Sequence, residues 1–475
     1  MPPRTARALW LAAPLLYFLF FFRLAGTGML GPDEPRYAAV AREMARSGDW
    51  ITPRLWGEPW FEKPALLYWM TAAGFKAGLN EDLAPRVPVA IVSVAFLAFL
   101  FIRLRREFDE TAAFYATAML ATSAMWLGYS HVAVTDLPLA AAWSAAMLLA
   151  LPWIKSGERR TLPAMAALLG VAVLAKGLVP LVLSLPLVWF GRKRLFDLLR
   201  PQVAGVFLLV AAPWYALCWW RNGWPFLEDF FLVHQLGRFT SDALQHEQPF
   251  WFYLPVIAGA LVPWTPLAAL ALRRSRDPRR QFLLASAAFG FVFLSASTNK
   301  LPGYILPLLP PLCVLAGVAL AERRRAPLLF AAGALLLALI PPAGQLLPAA
   351  LADGLSRAPV PRFSWIWLLP VPLAYAVWRL RTHAAAIALT LSAAAGAIYL
   401  KATALPAIDA AVSARPLWRK IEGRGAQVCV GEIHRAWRYG LNYYSIVPLP
   451  DCEAVPRPFE LRGAPPELTA PPPSR

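Results

Sequence analysis

Apolar stretches recur from residue 8 to residue 402, separated by short polar segments. Crossing a hydrocarbon core of about 30 Å takes about 17 to 25 helical residues. Lipid offers no partners to exposed backbone groups, so the pattern predicts closed helices. Basic clusters interrupt the apolar runs: Arg4 and Arg7; Arg103, Arg105 and Arg106; Lys155, Arg159 and Arg160; Arg192, Lys193 and Arg194; Arg273, Arg274, Arg276, Arg279 and Arg280; Arg323 to Arg325; Arg379 and Arg381. The positive-inside rule puts them all in the cytoplasm. Each segment between clusters must then go out and return, and each has a polar break, at 31–84, 131–136, 175–177, 221–248, 298–304 and 343–362. These breaks are acidic where the other loops are basic, with Asp33, Glu34, Glu43, Asp49, Glu62, Asp136, Glu228 and Asp242 among them. Hairpins through each break and a last span at 384–402 predict about thirteen transmembrane helices, the N-terminus inside and the C-terminus outside.

The stretch 161–190 fits two readings, a hairpin of two short crossings or one long tilted helix. The single helix would bury Lys176 near the bilayer centre at about 3 kcal/mol and would separate the flanking basic clusters across the membrane. The hairpin is therefore expected. The N-terminal Arg4 and Arg7 before an apolar run resemble a signal peptide, but no small-x-small cleavage site follows, so a retained first span is expected.

The loop 31–84 is the most polar stretch before the tail. Pro35 after Asp33 and Glu34 predicts a helix start, with acids where the macrodipole favours them. Tyr37, Val40, Ala41 and Met44 share a face, as in an interfacial amphipathic helix ended by Ser47 and Gly48. Leu66 to Met70, after Pro64, form a second aromatic segment suited to the headgroup boundary. From residue 403 the composition changes. QVCVGEI (427–433) predicts a strand, LNYYS a turn and strand, and a Pro-rich tail follows. The expected organisation is a transmembrane domain, 1–402, and a small α/β periplasmic domain, 403–475, too small to be very stable alone.

Composition supports the membrane reading: 58% of residues are hydrophobic and 16% charged, and mean hydropathy is +0.50. The net charge of +18 is explained by orientation signals and does not imply nucleic acid. Cys218 and Cys313 lie in apolar segments, where a small buried hydrophobe is the default. Cys429 and Cys452 lie in the polar tail, where a disulfide is available if the tail is outside the cytoplasm.

The chemistry concentrates in the outer loops. Solvated surface helices with ordinary ion pairs are the bland reading of the first loop. Against it stand the compact group Asp33, Glu34, Arg36 and the pair Glu62, Lys63 between aromatics and Pro64, because carboxylates at a membrane boundary are costly unless partnered. The segments DEPRYA (33–38), SGDWITPRL (47–55), FEKPALLYW (61–69), TDLPLA (135–140), AKGLVP (175–180), GRFTSDALQHEQPFWFYLP (237–255) and NKLPGYILPLLPPL (299–312) occur in order over about two-thirds of the chain. Together they resemble the lipid A aminoarabinose transferase family, bacterial relatives of the protein O-mannosyltransferases in the GT-C class.

The resemblance implies an all-α polytopic membrane fold and inverting transfer of a sugar, 4-amino-4-deoxy-L-arabinose, from undecaprenyl phosphate to lipid A or another periplasmic acceptor. It makes Asp33 the catalytic acid of the first loop, with Asp136 and Glu34 beside it. It makes Lys63, Arg238, Arg36, Tyr304, Lys300 and Lys176 ligands of the donor phosphate, and Glu62 with His246 ligands of a divalent metal. Trp60 departs from the tyrosine the family carries before FEK, and the C-terminal domain is shorter than usual, which leaves the acceptor open. Protein O-glycosylation from a polyprenyl-phosphate sugar is the alternative.

The residue types suit that chemistry. A departing phosphate needs fixed positive charge, which lysine supplies as a point and arginine as a bidentate fork. A hydroxyl acceptor needs a carboxylate to take its proton. The bland readings are a structural His246, interfacial Lys176 and Lys300, and an aromatic-belt Tyr304. Transport is the competing class, but transporters place such groups at the midplane in repeated halves, and no repeat is visible here.

Overall fold

The computed structural model describes residues 13–236 and 248–469, and these are mostly helical. A first helix, α1, covers residues 13–20. It leads to α2 (Asp33–Ser47), α3 (Leu66–Lys76), α4 (Leu83–Glu107), α5 (Glu110–Ala121), α6 (Ala124–Tyr129), α7 (Asp136–Ser156) and α8 (Leu162–Lys176). Six helices among the described residues are long and apolar enough to span a membrane, and a seventh results if Phe250–Ala260 and Thr265–Leu272, bent by 119°, are one broken span. The chain is therefore a multi-pass membrane protein.

Helix α7 is apolar on every side and is 94% buried over its central window, so it is the axis of the bundle. Helices α4 and α8 and the helix α9 (Pro278–Ala296) pack around it. The stretch 161–190 runs out and back. Lys176, at the end of α8, pairs with Asp136 at the start of α7, while Gly191 lies against the Trp153 ring near the end of α7. The return is broken at Ser184, between Val179–Leu183 and Leu185–Gly191. Pro180 and Pro186, in the first turns of these two pieces, each remove a backbone donor.

The first loop folds differently from the interfacial helix expected of it. Helix α2 ends at Gly48, whose φ of 74° closes it, but only Arg46 and Ser47 within it are fully exposed. Its supposed outer face is covered by the C-terminal region. Between α2 and α3, Arg54–Leu55 and Glu58–Pro59 pair as a two-residue hairpin over Trp56 and Gly57, both at positive φ as its tight turn demands.

After the span α10 (Thr382–Thr403), the chain forms α11 (Ala414–Ile421), a strand β1 (Val428–Val430), α12 (Arg435–Ser445), and strands β2 (Phe459–Arg462) and β3 (Glu467–Thr469). β1 and β2 pair in parallel, β2 and β3 antiparallel. Cys429 and Cys452 are disulfide-bonded. The strand expected at 427–433 is present, but LNYYS belongs to α12. The physical reason is a helical period: Trp437, Leu441 and Tyr444 fall at i, i+4 and i+7, and the His434 side chain accepts a hydrogen bond from Ala436 N at the start. The hydrophobic core is continuous from the bundle into this region through Ala414, Leu441, Tyr443 and Leu461, so the C-terminal region shares the core of the bundle.

Candidate functional site

The acids of the sequence motifs separate into three environments. Glu34 is entirely buried. Arg86, on α4, grips it with Nε to Oε1 and Nη2 to Oε2, each at 2.7 Å. Leu30 N and Ala133 N also donate to the carboxylate, at 2.7 and 2.9 Å. Arg86 in turn donates to Leu24 O, Thr27 O and Gly28 O. Both Glu34 oxygens are thus occupied, and the residue ties the end of the first span, the first loop and the 131–136 segment together. The expectation that Glu34 works beside Asp33 on substrate does not suit this enclosure.

Asp33, one residue earlier, points the other way along the first turn of α2, and its side chain is 42% exposed. Arg36 donates to it at 2.5 Å and also pairs with Glu62 at 2.8 Å. Lys63 pairs with the other Glu62 oxygen at 2.7 Å. The four residues form a chain of alternating charge, open at Asp33 and buried at Glu62 and Lys63. Burial opposes the Arg36 charge, but Glu62, Tyr37 and Asp33 together outweigh it and lift the guanidinium pKa above its ordinary value. Arg36 also lies against three rings, Tyr37 and Trp60 at 5.5 Å and Tyr439 at 5.2 Å. Trp60, where the resemblance leads one to expect tyrosine, gives the guanidinium a π face.

The second acid, Asp136, pairs with Lys176 at 2.6 Å, and Lys176 Nζ sits 4.4 Å from the Tyr304 ring centre. The motifs TDLPLA, AKGLVP and NKLPGY therefore converge. Tyr129, at the end of α6, packs its hydroxyl against Gly303, next to Tyr304. Lys300 is buried and donates to Gln248 O at 2.8 Å, a backbone contact apart from these ion pairs. Arg238 and His246 lie outside the described residues.

The metal expectation meets an occupied ligand, since Glu62 already carries two cationic partners. Among the described residues no three of His, Cys, Asp and Glu come together to hold a metal ion.

Sequence reasoning passed over Arg86, Tyr129 and Tyr439. Arg86 had a signal: it is a lone arginine at the end of α4 opposite the basic cluster Arg103, Arg105 and Arg106. Tyr129 and Tyr439 had none, because each reaches the site only through the tertiary fold.

The chain is similar in sequence and fold to known proteins. Residues 62–219 match the family described as dolichyl-phosphate-mannose-protein mannosyltransferase. An undecaprenyl phosphate-alpha-4-amino-4-deoxy-L-arabinose arabinosyl transferase from Pseudomonas aeruginosa is 35% identical over 343 residues, which is 68% of this chain and 60% of the relative. The crystal structure of ArnT from Cupriavidus metallidurans bound to undecaprenyl phosphate superposes with a TM-score of 0.73 at 28% identity, covering 94% of this chain and 85% of that one. An archaeal oligosaccharyltransferase from Archaeoglobus fulgidus shares the fold, with a TM-score of 0.53 at 13% identity, over 93% of this chain and 64% of that one. Fold and site thus define a GT-C-type membrane protein. Within that class the chain belongs to the lipid A aminoarabinose transferase family. It spans about 60% of the length of the curated relatives it matches.

Proposed function

We propose that the chain transfers a sugar, 4-amino-4-deoxy-L-arabinose, from undecaprenyl phosphate to lipid A, with inversion, at the outer face of the bacterial inner membrane. The observation that carries the reading is the open carboxylate of Asp33 beside the half-buried Arg36, with the buried Lys63 joined to Arg36 through Glu62. In the reaction, an acceptor oxygen attacks the anomeric carbon from the face opposite the donor phosphate. The bond from that carbon to the phosphate oxygen breaks, and its electron pair stays on the departing undecaprenyl phosphate. Arg36 and Lys63 meet the charge that develops there, held ready by Glu62, so little reorganisation accompanies bond cleavage. Arg238 is assigned to the same phosphate from its motif, and Tyr304 lies beside Lys176. A hydroxyl acceptor would pass its proton to Asp33; an ionised phosphate acceptor needs no such step, and Asp33 then orients the nucleophile or the sugar. Asp136 sets Lys176, and Glu34 holds the loop that presents Asp33.

The proposed topology has thirteen spans, with the site and the disulfide-bonded C-terminal domain (403–475) in the periplasm. The Cys429–Cys452 bond favours that side, since it persists in an oxidising compartment. Mass spectrometry of lipid A and of periplasmic glycoproteins from a deletion strain tests the function. Loss of aminoarabinose from lipid A supports the proposal, and a lost protein glycan with lipid A unchanged replaces it with protein O-glycosylation.

A further inference from the structure

We propose that Tyr439, from the C-terminal region, is a positioning residue of the donor-phosphate site and acts through Arg36. The inference rests on the reading of the Asp33, Arg36, Glu62, Lys63 group as that site. Tyr439 lies on α12, about 400 residues from Arg36 along the chain, yet its ring centre is 5.2 Å from the Arg36 guanidinium. The same ring stacks on Trp56, with centroids 5.7 Å apart and planes 20° from parallel. Trp56 holds a positive φ of 55° at the tip of its hairpin, a costly conformation for a bulky residue. Glu43, on α2, accepts the adjoining Gly57 N–H at 3.1 Å. The tip is therefore fixed from two sides, by α2 and by Tyr439.

Docking of the C-terminal region is carried by other residues. Arg415 bridges Asp82 and Asp409 at 2.6 and 2.8 Å. The Tyr444 hydroxyl donates to Asp82 Oδ1 at 2.8 Å, and the Tyr443 hydroxyl donates to Glu81 O at 2.7 Å. Arg42 donates to Tyr443 O at 2.7 Å. With these in place the domain remains seated without Tyr439. What Tyr439 adds is a π face for a guanidinium that also serves Asp33 and Glu62. Arg36 has a long, flexible side chain, and rings on several sides limit the positions it can take. A guanidinium set in advance stabilises a departing phosphate better than one that must be ordered during the reaction.

The test introduces phenylalanine and then its mono-, di- and trifluoro analogues at position 439 of the full-length protein. Fluorination weakens the ring face at nearly constant shape, so folding is preserved where Tyr439→Ala would risk it. Turnover of undecaprenyl phosphate-linked sugar should match wild type for Tyr439→Phe and fall stepwise with fluorine, on the order of tenfold overall, with thermal stability unchanged. A flat series overturns the proposal. So does a fall in turnover that follows a fall in thermal stability. If the wild-type protein transfers no sugar, the reading of the site fails on its own, and the series is read by binding of undecaprenyl phosphate alone. A graded loss of affinity then supports the Tyr439 assignment, and a flat one overturns it.

Discussion

Arg86→Met should be among the most damaging substitutions in the membrane part, although Arg86 touches none of the open site. It is 1% exposed and holds the wholly buried Glu34 through two 2.7 Å hydrogen bonds, together with three carbonyls at the end of the first span. Removing it leaves a carboxylate without its counter-charge in a dry interior. Breaking such a pair costs about 3 to 5 kcal/mol, mainly from the orphaned charge. Scaled to a chain of this length, that is a fall in melting temperature on the order of 5 °C. Thermal unfolding of purified protein in one detergent gives the number, and Glu34→Leu combined with Arg86→Met gives the control. The double variant should be more stable than Arg86→Met alone, because no buried charge remains unpaired. Arg86→Met within about 0.5 kcal/mol of wild type would refute the clamp. Full stability with lost turnover in Glu34→Gln would restore Glu34 as a catalytic residue.

Asp33→Asn should keep the fold and lose turnover by about two to four orders of magnitude if the acceptor is a hydroxyl, as measured by transfer per folded molecule and by size-exclusion profile. Lys63→Ala should lower both turnover and apparent donor affinity, because the phosphate charge grows during cleavage; normal specific activity with reduced stability would mark it as an anchor. Gly28→Ala should loosen the docking of the C-terminal region by about 1 to 3 kcal/mol, since its Cβ would lie 2.2 Å from Ser413 Oγ and 2.5 Å from Tyr444 Oη; limited proteolysis after residue 403 reports it. Reporter fusions after residues 108, 277 and 410 should read inside, inside and outside, and an external signal at 108 or 277 would contradict the topology.

The membrane character and much of the site were legible because both rest on local patterns. Basic clusters mark one side regardless of packing; DEPR, TDLP and AKG each put a charge at the end of a helix, and FEKP puts two just ahead of α3, where the fold gathered them. The pairing of Asp136 with Lys176 follows from the hairpin at 161–190. Less could be read where neighbours come from distant chain. Asp33 and Glu34 are adjacent and chemically alike, and Arg86 with the backbone of Leu30 and Ala133 makes one a buried tie while the other stays open. The apolar face of α2 read as interfacial meets α3 through Tyr37 and Tyr68, and its polar side is covered by residues some 400 positions later, Arg36 by Tyr439 and Arg42 by Tyr443. LNYYS was misread because alternating aromatic and polar residues over so few positions fit a strand as well as a helix; the longer run from Arg435 carries the helical period.

The central claim is tested most directly with purified protein given undecaprenyl phosphate-linked aminoarabinose and lipid A, the products being resolved by mass spectrometry. Wild type should form aminoarabinose-modified lipid A and release undecaprenyl phosphate in equal amount, and Asp33→Asn should form neither above background. Equal conversion by both proteins, or none by a folded wild type that still binds undecaprenyl phosphate, would contradict the account.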